Sequence, residues 1–202
     1  DIRPSRGLGD VYKRQIWLMR QAGRYLPEFR EIRSKNQDFI RLCLDENLSS
    51  EITVQPLRRF NIDAAIIFSD ILLVPFALGQ SVKFKKDFGP LLGEINFNKM
   101  SNINEIQFID KLKPVYSAIK KTKDKVELKN KDLIGFVGAP WTILIYMLNQ
   151  KSPKNDDIEL NLKDKKFIED LLEVIVRYLK IHINNQIESG ATIIQIFDSW
   201  AG

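Results

Sequence analysis

Three short apolar runs, AAIIF at residues 64–68, LIGFV at 133–137 and TIIQIF at 192–197, constrain this chain more than anything else in it. None alternates as a half-solvated strand would. Near-continuous apolar character is the pattern of strands covered on both faces in a parallel sheet. Between them, apolar residues recur at three- and four-residue steps. This spacing predicts helices over 34–43, over 49–60 with a bend near Pro56, and over 104–122, interrupted or begun afresh at Pro114. A further helix should open at Pro140 and run to about residue 148. The last, over 164–189, should turn Phe167, Leu171, Ile175, Tyr178 and Leu179 inward and stop at Gly190. Residues 81–85 alternate and suit an edge strand or hairpin, 88–100 are turn-rich, and 149–162 read as a polar loop. Buried strands alternating with helices predict an α/β fold with crossover connections.

The bulk numbers exclude several classes. With 202 residues, 44% of them hydrophobic and 28% charged, the chain can bury one core. No apolar run approaches the roughly 18–20 residues that span a bilayer, and the start lacks the charged-then-apolar pattern of a secretory signal. The single Cys43 can form no internal disulfide and shares no metal-ligand spacing with the single histidine, His182, so a reducing cytoplasm is expected and no metal. Of the net charge of +5, residues 1–15 supply two units. The Lys-rich stretches 120–131 and 163–166 are mixed with acids, whereas a nucleic-acid binder shows a basic face interleaved with aromatics. They read as solvated helix ends and loops.

Residues 1–15, DIRPSRGLGDVYKRQ, show no apolar period, and the chain does not begin with Met. The expectation is a non-native segment joined near Gln15 and Ile16, outside the fold.

Candidate chemistry begins at residues 16–33, IWLMRQAGRYLPEFREIR, where Arg20, Arg24, Arg30 and Arg33 surround a Gly and a Pro that interrupt regular helix. Arg grips a carboxylate with two parallel hydrogen bonds, so the cluster suits a ligand with several acidic groups; a solvated basic loop is the plainer alternative. Asp70 follows the first apolar run after Ser69, either as a helix N-cap or as a carboxylate at the end of a strand. Tyr146, isolated on an apolar face, reads as core, Trp141 as packing, and His182, between Ile181 and Ile183, as structural.

The spacing RQAGRYLPEFR at 20–30, with AAIIFSDILLVPFALG at 64–79, GFVGAPWTILIYM at 135–147 and IIQIFDSWAG at 193–202, resembles the signatures of the uroporphyrinogen decarboxylase family over residues 16–202. The resemblance implies a (β/α)₈ TIM barrel, incomplete here because a full barrel takes about 250 residues, with its site at the C-terminal ends of the strands, where Asp70, Gly138 and Ser199 fall. It implies cofactor-free removal of CO₂ from the four acetate side chains of uroporphyrinogen III, giving coproporphyrinogen III. Asp70 matches an aspartate that reaches the centre of the macrocycle and accepts hydrogen bonds from its pyrrole N–H groups. Its reference pKa near 3.9 predicts an ionised carboxylate unless it is deeply desolvated. Arg20 is the other catalytic candidate. Arg20, Gln21, Ala22, Gly23 and Arg24 match the substrate-binding loop, with Phe29 and Arg33 in register behind it, Tyr146 meeting a substrate carboxylate and Ser199 supplying a hydroxyl. The family's histidine belongs to a later part of the barrel, which puts activity of these 202 residues alone in question. A homodimer is implied, without nucleic-acid or membrane partners. Two other readings stay open: a corrinoid-linked methyltransferase, which needs a zinc site of thiolate and histidine, and a porphyrin-binding module without catalysis.

Overall fold

The computed structural model describes residues 16–19, 21, 25–85, 88–152 and 164–200. Along the chain these form α1 (Pro27–Lys35), α2 (Phe39–Cys43), α3 (Glu46–Arg59), β1 (Ala64–Ile66), α4 (Leu73–Ala77), β2 (Val82–Lys85), β3 (Gly89–Leu92), α5 (Phe97–Ser101), α6 (Glu105–Lys123), β4 (Asp132–Gly138), α7 (Pro140–Asn149), α8 (Lys165–Glu188) and β5 (Ile193–Phe197). Local chemistry sets the starts. Pro27 and Pro140 open α1 and α7 with a preset φ and no wasted N–H. Asp38, Asp45 and Asp164 cap α2, α3 and α8, and Asn104 forms a reciprocal capping box with Gln107 on α6.

Proline is where the sequence expectation fails. Pro27 starts a regular helix that carries Arg30 and Arg33, so those two arginines do not lie on an irregular loop. Pro114 neither interrupts nor restarts α6, which runs through it. A proline inside a helix costs about 3 kcal/mol. Phe108, Leu112, Val115 and Ile119 on the same helix are each almost wholly buried, at about 1.5–3 kcal/mol per side chain, so packing wins. The hairpin expected at 81–85 forms, β2 pairing antiparallel with β3, and the short helices α4 and α5 were not foreseen. Most of the polar loop at 149–162 lies outside the described residues.

The main sheet is parallel and ordered β1-β4-β5, with Ala64 opposite Asp132 and Ile134 opposite Ile193. Strand order follows the chain without reversal, as in a barrel and unlike a doubly wound sheet. Alternation splits the side chains into two layers. Ala65, Ile67, Leu133 and Val137 join the large core beneath α3, α6 and α8, while Ala64, Ile66 and Ile134 form a small second cluster with Phe136 and Phe197 on the other face. The chain is thus an arc of a (β/α)₈ barrel. β5 is the edge of this sheet and is not the buried strand its apolar run predicts: Ile193 and Ile196 are 43% and 53% exposed.

Candidate functional site at the strand ends

Because β1, β4 and β5 are parallel, their C-terminal ends lie together. Gly138 ends β4. A Cβ there would meet Ile143 at 2.9 Å and the Ile71 Cβ at 3.2 Å, so the missing side chain lets the segment after β1 close against the start of α7. Thr142, in the first turn of α7, donates to Asp198 Oδ1 at 2.8 Å and accepts from the Ser199 N–H at 2.9 Å. The exit of β5 is therefore tied to α7. Ser199 itself is exposed, and Tyr146 sits one turn beyond Thr142, half-buried against the core.

Asp70 lies in the segment after β1 and is not the N-cap of α4, a place that Leu72 takes. Its Oδ1 accepts the Leu72 N–H at 2.8 Å, an Asx turn leading into α4, and its carboxyl has no other hydrogen-bond or ion-pair partner among the described residues. Desolvation lifts its pKa from 3.8 to about 6, against the lowering effect of the Leu72 bond. The sequence predicts an ionised aspartate unless it is deeply desolvated. In place it is a carboxyl poised near neutrality, still mostly ionised at pH 7.

The backbone that carries Asp70 is pinned from α3. The Ser49 hydroxyl donates to the Phe68 carbonyl at 2.7 Å, and Thr53 Oγ1 accepts the Phe68 N–H at 2.9 Å while donating to the Ser49 carbonyl. Phe68 is also held edge-on by Phe29 and Phe39, with ring centroids 5.9 and 5.7 Å away. Phe29 is thus buried in this wall. Arg33 stacks over the Phe39 ring at 5.7 Å and donates to the Asn36 carbonyl. Its charge and that of Asp70 both act on the thiol of Cys43, which burial, the larger effect, pushes up. Sequence reasoning missed Ser49, Thr53 and Thr142. The available signal was the spacing of Ser49 and Thr53, two hydroxyls four apart among apolar α3 positions.

Ile16 and Gln21 bond along the edge of β1 that faces away from β4. Ile16 exchanges hydrogen bonds with Asp63, and the buried Gln21 carboxamide donates to the Ala64 carbonyl at 2.8 Å and accepts the Ile66 N–H at 3.2 Å. Gln21 is thereby held to the strand at both ends of its carboxamide. Arg20, Ala22, Gly23 and Arg24 lie outside the described residues. Arg30 is exposed on α1.

Two features lie apart from the strand ends. A groove of about 780 Å³ between α2, α4 and β2 shares Phe39 with the wall but holds neither Asp70 nor Ser199. His182 is buried on α8 with its Nδ1 3.0 Å from the Tyr116 hydroxyl, and burial lowers its pKa to about 4. Among the described residues, no group of three or more His, Cys, Asp and Glu could hold a metal ion, and no helix is long and apolar enough to cross a membrane.

In fold, the chain is similar to a methyltransferase from Methanosarcina mazei, with TM-score 0.64 and 15% identity, covering 83% of this chain and 50% of that one. In sequence it is 44% identical to a uroporphyrinogen decarboxylase from Rickettsia bellii, over 94% of this chain and 56% of that protein. It is 42% identical to one from Campylobacter jejuni, over 92% of this chain and 56% of that protein. The chain spans just over half the length of these curated relatives. The family model described as uroporphyrinogen decarboxylase matches residues 10–202, so the chain belongs to the uroporphyrinogen decarboxylase family.

Proposed function

We propose that these residues form the Asp70-bearing part of a uroporphyrinogen decarboxylase, which converts the four acetate side chains of uroporphyrinogen III to methyl groups, giving coproporphyrinogen III in heme biosynthesis. The observation that carries the reading is Asp70 itself: a desolvated carboxyl at the end of a parallel strand with one oxygen uncommitted, in a chain of this family.

Decarboxylation needs an electron sink. Protonation of a pyrrole carbon makes the ring cationic; the bond to the carboxylate then breaks, its electron pair enters the ring and CO₂ departs. The exocyclic carbon next takes a proton, and loss of the ring proton restores the pyrrole. A carboxylate fixed beneath the macrocycle stabilises the cation, and its attraction grows as water is excluded. Asp70, mostly ionised at neutral pH, suits that task and accepts the pyrrole N–H groups. Arg20 and Arg24 take the acidic rim, Arg20 also orienting the proton that is transferred, with Ala22 and Gly23 giving the backbone close approach. Arg33, Tyr146 and Ser199 complete the rim. Gln21 and Phe29 act through position, Gln21 on β1 and Phe29 on Phe68. The reaction uses no cofactor, and the family resemblance supports a cytoplasmic homodimer without nucleic-acid or membrane partners.

The test is coproporphyrinogen formation by the protein at the full length of its relatives. Asp70→Asn is expected to lower kcat by about 100-fold or more, the scale of losing a preorganised electrostatic partner. Unchanged turnover in that variant would overturn the reading.

A further inference from the structure

β1 and β4 part company earlier than their lengths require. The register Ala64 to Asp132 and Ile66 to Ile134 continues with the Ile67 N–H donating to the Ile134 carbonyl at 2.9 Å. In a parallel ladder the next two bonds would join the Phe136 N–H to the Ile67 carbonyl and the Ser69 N–H to the Phe136 carbonyl. Neither forms. The Phe136 N–H instead donates to Gln186 Oε1 at 2.9 Å, and Gln186 Nε2 donates to the Phe136 carbonyl at 3.0 Å. A carboxamide has the donor and acceptor of a peptide group, so one side chain from α8 substitutes for the missing length of strand.

Gln186 reaches this place only because residue 135 is glycine. A Cβ at Gly135 would lie 2.5 Å from Gln186 Oε1, a contact that no Cβ tolerates, and 3.2 Å from the Ala191 Cβ. The side chain is 1% exposed and both its polar groups are satisfied, so it is held in one arrangement. On the β1 side, Phe68 faces away from β4, as Ala64 and Ile66 do, and bonds to Ser49 and Thr53.

We propose that Gln186 is a positioning residue for Asp70: by taking the rung that residues 67 and 69 would occupy, it keeps β1 from zipping along β4 and holds the Asp70 turn out of the sheet. Gly135 is the opening that admits it. The proposal rests on the assignment of Asp70 as the catalytic carboxylate, but its structural part stands apart from that assignment.

Three variants of the full-length protein test it: Gln186→Leu, which cannot bond to Phe136; Gln186→Glu; and Gly135→Ala, which pushes the carboxamide aside. The expected result for Gln186→Leu and Gly135→Ala is a fall in kcat of about 10-fold or more with KM within about twofold, since a small misplacement of a reacting group is costly. The Asp70 carboxyl, followed by carbon NMR, should titrate nearer its ordinary range in both. Gln186→Glu adds a readout that a purely structural role would not give. When protonated, the introduced carboxyl again offers one donor and one acceptor to Phe136; when ionised, it opposes the Phe136 carbonyl. Its kcat relative to the unaltered protein should therefore rise as pH falls from 8 to 5. Unchanged kcat and an unshifted Asp70 titration in folded Gln186→Leu would overturn the proposal, and if that variant does not fold, a pH-independent ratio for Gln186→Glu would do so. If Asp70→Asn keeps full turnover, the functional reading fails, while the Asp70 titration in these variants still decides whether Gln186 positions it.

Discussion

Thr53 Oγ1 sits 2.9 Å from the amide of Phe68 and accepts its hydrogen, so a helix side chain completes the backbone bonding of a residue that has left the sheet. With this bond, the amide two residues before Asp70 is satisfied by a buried hydroxyl, as its carbonyl is by that of Ser49. Thr53→Val keeps the shape and removes the acceptor, leaving a buried N–H without a partner, which costs about 1–3 kcal/mol. Thr53→Ser restores the oxygen and should recover most of the loss. Chemical denaturation of the three proteins checks this, and a Thr53→Val variant as stable as the parent would contradict it.

The raised pKa of Asp70 is also a statement about stability. The group binds its proton more tightly folded than unfolded, so its contribution is intact below about pH 4, is lost as pH rises through about 6, and stays lost above. A shift from 3.8 to about 6 corresponds to about 3 kcal/mol. Asp70→Asn retains an oxygen for the Leu72 N–H and discards the charge. It should therefore match the parent in stability near pH 4 and exceed it at pH 8, by less than that full figure because Asp70 is half-buried and partly screened by solvent. Thermal melts across that range measure the divergence. Equal melts at pH 8 would mean that the carboxyl is solvated.

How far the sequence was readable depended on the distance over which each feature is determined. The apolar runs at 64–68 and 133–137 announced β1 and β4 because burial on both faces leaves no position for a polar residue, and the α8 periodicity was equally plain over its length. Asp70 could be placed at a strand end by counting. Its desolvation could not, because burial is set by the fold around it and not by its neighbours in the chain. Pro114 misled because the local cost of proline is visible in the sequence while the burial that outweighs it involves α3 and α8. Nothing in the sequence singles out Gln186. Only the fold shows its carboxamide on the backbone of Phe136, fifty residues away in the chain.

His182 predicts an acid limit. Burial holds its pKa at about 4, below the ordinary 6.5, so the folded protein resists a proton that the unfolded chain accepts. Its stabilising contribution is complete above about pH 6.5 and is lost as pH falls through about 4, by up to about 3 kcal/mol. Between pH 6.5 and 5, before most carboxylates titrate, His182→Leu paired with Tyr116→Phe should flatten the fall in denaturation midpoint. Tyr116→Phe is needed because the tyrosine hydroxyl would otherwise lose its partner in the core. A slope identical to that of the parent would assign the titration elsewhere.

Thr142 offers the sharpest separation of site from scaffold. Its hydroxyl is the only described link by which the first turn of α7 holds both Asp198 and the Ser199 amide, and both partners lie on the exposed exit of β5. Thr142→Val keeps the branched shape of a side chain that is itself fully buried, so the core should hardly change. Asp198 and Ser199, being exposed, can turn to water, and the expected loss of stability is under about 1 kcal/mol. What should change is the placement of Ser199. Under the proposed function, with Ser199 on the rim, Thr142→Val in the full-length protein should raise KM for uroporphyrinogen several-fold and leave kcat nearly intact, because a contact of that kind binds ground state and transition state alike. A fall in kcat at constant KM would instead place the Asp198–Thr142 pair among the groups that meet the reacting ring.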